Sequence, residues 1–449
     1  MNSLWLSENY NKNFESLNSD VTTDVCIIGA GIFGLTCGYY LSKAGLKVTV
    51  VDKSEIARKT TGHTTAKITS QHGLFYTYLV DTYGEGFAKD YLFANQEAIE
   101  NIKNIIDTEN INCDFEKQSN FVYTTDKSEV NKIQKEVDCI NALGFPANFV
   151  TKTGLPFEIA GGIQFKDQAQ FNPIKYVYGL SDCIIKNGGT IYTNTTVYDI
   201  KNDDDSFSTL TVDGTIKSKY VILASHYPFI NFPGIYFFKM YQSSSYVIGI
   251  DTKKTLFNGM YITSSEPIYS FRTAYYQGKK ILLLGGGAHK TGTPVTDVQS
   301  YLALENYAKS LYPDCEVLFR WSTRDCITLD KIPYIGRFSN TIDNFYVGTG
   351  FNKWGMTSSN VAANIVCDMI LEKHNKYAYV FDSTRVNPIQ NRTEVKNMVS
   401  ESINSLAIKK LKDSNVSFDD IPNNSGGIID VNSQKVGVYK DTSRKCLCC

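Results

Sequence analysis

The chain has 449 residues, past the size at which one hydrophobic core keeps growing, so two domains or one domain with a large insertion are expected. Apolar residues make up 42% and charged residues 20%, the balance of a soluble globular protein. A formal net charge of −1 excludes a basic field for nucleic acid, and no apolar run approaches the roughly 20 residues of a membrane span.

The opening stretch, MNSLWLSENYNKNF, has neither the basic nor the apolar region of a secretory signal, which leaves the cytoplasm as the expected location. Eleven cysteines, an odd count scattered from Cys26 to Cys449, form no small-domain framework and are expected reduced.

Residues 24–28, DVCII, are a short apolar run that reads as a buried strand. They break into GAGIFG, after which IFGLTCGYYLSKAG carries apolar residues at helical spacing and stops at Gly45, a natural C-cap. KVTVVDK is a second buried strand, ending at Asp52, and completes a strand, turn, helix, strand unit. Beyond it, TTGHTTAKITSQHG at 60–73 is a Thr-rich loop. Its two histidines, His63 and His72, are nine positions apart with no Cys, Asp or Glu between them, so no metal site is expected.

Residues 85–110, 126–143 and 174–186 are helical in pattern. Three strand-like runs follow, GGTIYTNTTVYDIKN, STLTVDGTIKSK and YVILAS, with Asp-Gly turn chemistry. From 237 to 287 the chain is strand-rich and aromatic, which suggests a separate sheet. DNFYVGT at 343–349 is a further strand, breaking at GFNKWGMTSS into the helix VAANIVCDMILEK. Residues from about 385 to 449 are polar, with only a short helical pattern near 394–411, and read as a loosely attached tail.

Gly29, Gly31 and Gly34 stand in the GxGxxG pattern, and its setting gives it force: a strand precedes, a helix follows, and Asp52 closes the next strand 23 residues after Gly29. NAD and FAD share this fingerprint. A second glycine-punctuated junction, GTGFNKWGMTSS, lies roughly 300 residues later and suits a long cofactor whose reactive ring runs into a second domain, which favours FAD.

Together with the loop TTGHTTAK, the strand IYTNTTV and TLDKIPYIGR, these residues resemble the FAD-dependent D-amino acid oxidase superfamily, in its branch of gamma-glutamylputrescine-oxidase-like and Rieske-fused oxidoreductases. The resemblance covers residues 1–384, and TTGHTTAKITSQHG with QAQFNP at 168–173 is specific to that branch. It implies an α/β fold: a Rossmann-like FAD-binding domain of the glutathione-reductase type from 1–90, 168–232 and 320–384, and a second, sheet-rich α+β substrate domain from 91–167 and 233–319. It further implies Asp52, with Lys53 beside it, at the adenosine ribose, the backbone of Val197 at the adenine, and Phe33 within the glycine turn. Thr60, Thr61, His63, Thr64 and Thr65 would hold the pyrophosphate and ribityl chain. Gly350, Asn352, Lys353, Trp354, Gly355, Met356 and Thr357 would close over the ring edge.

The implied reaction is oxidation of a C–N bond of a small amine or amino acid by hydride transfer to flavin N5, with oxygen as the expected acceptor. The alternatives are a dehydrogenase that passes electrons to a protein or quinone, and a non-catalytic flavoprotein. Lys67 is the first candidate for a cation beside the ring, where it would stabilise an anionic reduced flavin; the alternative is a surface lysine. His63 and His72 either line the cavity or orient the loop. Arg272, among aromatics, either pairs with a substrate carboxylate or stacks on tyrosines.

GGGAHKTG at 285–292 is no phosphate loop, because His289 rather than a glycine precedes Lys290; by resemblance His289 and Lys290 are substrate-side candidates. Two departures from the family stand out. Thr357 occupies the place where sarcosine-oxidase-like members use a lysine to hold the substrate carboxylate, and Cys326 is out of register with covalent attachment, so non-covalent FAD is expected. The tail ends RKCLCC with no histidine after His374, whereas a Rieske centre needs two of each ligand; it reads as a shortened Rieske module or a disordered tail with reactive thiols.

Overall fold

The computed structural model describes residues 3–7, 12–385, 425–431, 434–440 and 446–448. It divides into Met1–Arg385 and Val386–Cys449. The larger unit holds two sheets, of eight and nine strands.

In the first sheet Val21–Ile28 is central, parallel to Thr215–Leu223 on one side and Val48–Val51 on the other. The order is Tyr334–Ser339, Ile342–Thr349, Thr215–Leu223, Val21–Ile28, Val48–Val51, Thr190–Tyr192, with Val197–Asn202 and Phe207–Thr211 as an antiparallel extension. Val25, Cys26 and Ile27 have no exposure, because a parallel strand is covered on both faces and reads as one apolar run. The covering helices are Ile32–Lys43, Pro173–Lys186 and Gly355–Ile370. Gly45 takes φ +90° just past the first of these, as its C-cap reading requires. Asn172 caps the second, its Oδ1 accepting from Ile174 N–H at 3.0 Å, with Pro173 at the first helical position where a missing N–H costs nothing.

The second sheet runs Glu316–Thr328, Met240–Asp251, Lys279–Lys290, Ser270–Tyr276, Met260–Thr263, Glu116–Thr124, Gly161–Gln170, Lys67–Ile68, with Ala147–Val150 paired beside Gly161–Gln170. It thus takes Lys67–Ile68 and residues 320–328 of Glu316–Thr328 from sequence that reads as belonging with the cofactor domain. The helix Asp297–Leu311 covers one face of it and is absent from the sequence reading. Its signal is a capping box, Thr296 with Gln299, standing in a polar stretch without a strong apolar stripe. GGGAHK, which looks like a loop, is the end of a long strand.

In the smaller unit Ser425–Val431, Gln434–Lys440 and Cys446–Cys448 form an antiparallel three-stranded sheet where the sequence reads as an unstructured tail. The short helical pattern at 394–411 lies outside the described residues.

Candidate functional site

The turns leaving Val21–Ile28, Val48–Val51, Thr215–Leu223 and Ile342–Thr349 all lie at the carboxyl ends of parallel strands, where open α/β sheets bind their ligands. Gly29 has φ +121°, and a Cβ there would lie 2.4 Å from Ala224 O; a Cβ on Gly34 would lie 1.9 Å from Gly29 O. Both glycines therefore serve the close approach of the chain to itself. Gly31 is different: its Cβ would meet only Thr61 Oγ1, at 3.3 Å. Phe33, buried in the same turn, packs edge-on against Phe351 and so ties this junction to the second glycine junction.

The helix that follows begins without a capping side chain and without an acidic residue in its first turn. Ile32 N–H is taken by Thr61 Oγ1 at 3.1 Å. Its dipole and first-turn donors suit an anion. Asp52 accepts from Ala30 N–H at 2.7 Å and from Ser54 N–H at 2.9 Å, so its carboxylate braces the glycine turn. Thr195 N–H donates to Asp52 O at 2.9 Å, which places Val197 close by; Lys53 is exposed.

The loop at 60–66 is the most informative part. Five consecutive carbonyls are tied back by donors from elsewhere in the chain: Gly62 O by Ser3 Oγ, His63 O by Trp321 Nε1 (3.0 Å), Thr64 O by Trp5 Nε1 (2.6 Å), and Thr65 O and Ala66 O by Arg272 Nη1 (2.7 and 2.8 Å). In a planar trans peptide the N–H points opposite the C=O, so each of these bonds also fixes the direction of the next amide; Gly62 N–H is held by Lys59 O and Ala66 N–H by Thr64 Oγ1. Ser3, Trp5 and Trp321 are functional residues that the sequence reading missed. The available signal was scarcity: the chain has three tryptophans, and the third, Trp354, stacks on His72 at 4.9 Å.

Arg272 is 3% exposed, lies over the Trp5 ring at 5.3 Å and also donates to Phe171 O and Thr273 O. Its Nε and Nη1 donate to carbonyls, which a buried loop with unpaired carbonyls requires of a nearby cation. That geometry moves it from the carboxylate-pairing role to a clamp. Burial lowers its pKa to about 9.

Lys67 is also buried rather than a surface lysine, with Nζ donating to Tyr261 O at 2.8 Å and to Ser270 Oγ. Burial, and then the neighbouring Arg272 charge, pull its pKa down to about 7. His63 Nδ1 bonds Lys59 O at 2.8 Å. His72 Nε2–H donates to Thr69 O at 2.9 Å, and since a carbonyl only accepts, Nδ1 is the acceptor for Tyr91 OH at 2.8 Å. Burial pushes His72 down to about 3, so it is a neutral brace near neutral pH.

At the second junction Gly350 has φ +69°, and a Cβ there would lie 2.2 Å from Thr328 Cγ2. Asn352 Oδ1 accepts from Thr328 N–H at 2.8 Å, and Lys353 reaches Ser245 Oγ. Trp354 precedes the helix Gly355–Ile370, Met356 is buried in its first turn, and Thr357 Oγ1 donates to Thr69 O at 3.1 Å. His289 and Lys290 part company. His289 stacks on Tyr246, whose hydroxyl donates to Asp297 of the covering helix, whereas exposed Lys290 pairs with Ser243, itself opposite Asp325, so strand alternation puts Lys290 on the face that carries Trp321 and His289 on the other. Among the described residues no group of His, Cys, Asp or Glu could hold a metal ion.

A turn whose Gly29 and Gly34 admit no Cβ, a helix N-terminus without a capping side chain and a loop fixed through its carbonyls, all at the carboxyl ends of parallel strands, suit an extended, anionic dinucleotide. That is the class of a two-domain dinucleotide-binding α/β protein. Residues 24–369 match the family model described as DAO, FAD dependent oxidoreductase, and the chain belongs to that family; FAD is its cofactor. The chain is 34% identical over 437 residues to a Bacillus subtilis (strain 168) protein carrying the name Rieske 2Fe-2S iron-sulfur protein YhfW, covering 97% of this chain and 86% of that protein. It is 23% identical to gamma-glutamylputrescine oxidoreductase of Escherichia coli (strain K12), covering 80% and 85%. Among solved structures it resembles glycine oxidase from Geobacillus kaustophilus (TM-score 0.70, 18% identity, 82% of this chain and 100% of that one). It also resembles L-proline dehydrogenase from P. horikoshii (TM-score 0.69, 17% identity, 82% and 98%). No helix among the described residues is long and apolar enough to cross a membrane.

Proposed function

We propose that this flavoenzyme oxidises the C–N bond of a small amine or amino acid, with non-covalent FAD and oxygen as electron acceptor. The observation that carries the cofactor's placement is the carbonyl clamp at 62–66. The relative named gamma-glutamylputrescine oxidoreductase supports the substrate class. FAD, when bound, supplies the two-electron acceptor for a hydride from the carbon beside nitrogen.

The chain's own residues bind and orient. The first turn of Ile32–Lys43 and the Thr-rich loop at 60–65 face the diphosphate. Asp52, whose two oxygens offer about four lone-pair sites against three bonds made within the chain, keeps capacity for a ribose hydroxyl. Val197 offers backbone to the adenine, and Gly350 to Thr357 close the far end. Cys326 is buried, its pKa pushed up to about 12, so it is a poor nucleophile, which supports non-covalent binding. Lys67 and Arg272 place positive potential beneath the loop, and Lys67 is the group we assign to the ring side. Eight cysteines, from Cys26 to Cys367, are free thiols, which supports a reducing, cytoplasmic setting. Residues 385–449 hold three cysteines and no histidine, so by themselves they do not supply the ligand set of a Rieske centre.

Purified protein is mixed anaerobically with a library of amines and amino acids while flavin absorbance is followed, and air is then admitted. Bleaching by an amine followed by fast reoxidation with peroxide release is expected. Bleaching with slow reoxidation would replace oxygen by a protein or quinone acceptor, and no bleaching by any compound would leave a non-catalytic flavoprotein.

A further inference from the structure

Trp354 stands at the second glycine junction with its ring stacked on that of His72, centroids 4.9 Å apart and planes 10° from parallel. Along the edge of His72 lies Tyr91, buried in the helix Glu85–Glu109. Its hydroxyl donates to His72 Nδ1 at 2.8 Å, and the two rings meet edge-on at 5.7 Å. Because Nε2–H is committed to Thr69 O, the nitrogen that faces the phenol is the one without a proton.

The row therefore reads indole, base, phenol. Trp and Tyr are the two side chains that give up a single electron most readily at an aromatic ring. A phenol that loses an electron becomes a strong acid, so even a base as weak as a buried imidazole takes its proton, provided that the base already lies within hydrogen-bond reach. Electron exchange falls steeply with distance, so rings in contact define a path, and here the contacts continue outward. Tyr91 meets Phe75 at 5.3 Å, Phe75 meets Tyr78 at 5.6 Å, and Tyr78 meets Tyr83 at 6.5 Å, both of these tyrosines being half-buried.

We propose that Trp354, His72 and Tyr91 form a redox relay that carries a one-electron oxidising equivalent away from the ring end of the FAD site toward the surface, the oxidant being the photoexcited, oxidised flavin. One electron passes from Trp354 to the excited flavin. Tyr91 returns an electron to Trp354 and gives its phenolic proton to His72 Nδ1. Tyr91 is then a neutral radical, His72 carries the proton and the flavin holds the electron; return of electron and proton to Tyr91 restores the starting state. The relay rests on the reading that Gly350 to Thr357 close over the ring, and it is independent of the choice of amine.

The test is a blue-light flash on the flavin-loaded protein without amine or oxygen, followed by transient absorption, and by electron paramagnetic resonance of samples frozen under illumination. A tyrosyl radical is expected in the wild type, formed at least twofold more slowly in heavy water because a proton moves with the electron. Tyr91→Phe, which keeps the ring, should cut the tyrosyl yield at least tenfold, since the oxidised Trp354 recombines directly with the flavin. Trp354→Phe should do the same and also raise the fluorescence of bound flavin at least twofold, because an indole at contact quenches the excited ring. Unchanged fluorescence in Trp354→Phe would remove the placement of the junction over the ring and the relay with it. Raised fluorescence together with a tyrosyl yield that Tyr91→Phe leaves intact, or with no tyrosyl radical in the wild type, would overturn the relay and leave that placement standing. If Tyr91→Phe loses flavin, the wild type decides alone: equal rates in light and heavy water would overturn the proton step to His72.

Discussion

The loop at 60–66 and the sheet face that carries Trp321 are held in opposite ways. The loop's main chain is fixed by side chains of distant elements: Ser3, Trp5, Arg272 and Trp321 donate to its carbonyls. On the sheet face side chains close on one another, Lys353 reaching Ser245 and Asp325, with the strands as a fixed scaffold. It follows that losing one distant side chain disturbs the loop's backbone, whereas losing one on the sheet face leaves the strands in place.

The largest expected effect breaks this contrast most directly. Arg272→Met strips donors from four buried carbonyls, at a cost on the order of 3–5 kcal/mol, and releases Thr65 and Ala66. Urea unfolding should show that loss, and the purified protein should be nearly free of flavin. If Arg272→Met holds flavin normally, the clamp is not what shapes the cradle.

Lys67 sharpens the contrast, because it lies behind the loop and also against the sheet. Its pKa is lowered to about 7, below the ordinary value of 10.5 that the unfolded chain retains. Between those values the unfolded state binds the extra proton, so the stability of the wild type rises with pH through that window. Relative to Lys67→Met the gain is on the order of 4 kcal/mol. Chemical denaturation of flavin-free protein from pH 7 to 10.5 measures it. Parallel curves for the two proteins would mean that Lys67 is already paired with an anion.

The fold was largely legible where local pattern and tertiary role agree. The runs DVCII and KVTVVDK are apolar because parallel strands are covered on both faces, and GAGIFG is glycine-rich because Gly29 and Gly34 face backbone atoms at distances no Cβ permits. The helix Asp297–Leu311 and the strands of the smaller unit were not legible, since their polar composition hides the period. In the site, the loop could be located but not its logic. Nothing local to Trp5 or Arg272 says that they reach Thr64 and Thr65, which are 59 and 207 positions away, so a clamp assembled from distant segments is invisible to spacing arguments. Arg272 among aromatics looked like a substrate residue because a buried cation needs acceptors, and sequence does not reveal whether those are carboxylates or carbonyls.

The smallest effect concerns His72, a neutral brace between Tyr91, Thr69 and the Trp354 ring. His72→Phe keeps the stack but leaves Tyr91 OH without its acceptor and Thr69 O with Thr357 Oγ1 alone, at a cost of about 1–3 kcal/mol near neutral pH. The sign then reverses with acid. The folded pKa of His72 is about 3, against 6.5 for the unfolded chain, so from pH 6.5 downward the unfolded state takes up the proton first and the wild type loses stability. Phenylalanine has no proton to bind, so the penalty of His72→Phe should shrink as pH falls and vanish near about pH 5, where the linkage loss reaches roughly 2 kcal/mol. Unfolding curves of the two proteins that stay parallel from pH 7 to 5 would show that His72 is protonated in place. Its Nδ1 would then donate, the bond to Tyr91 would have to turn round, and the brace behind the Trp354 end of the cofactor site would be a charged one.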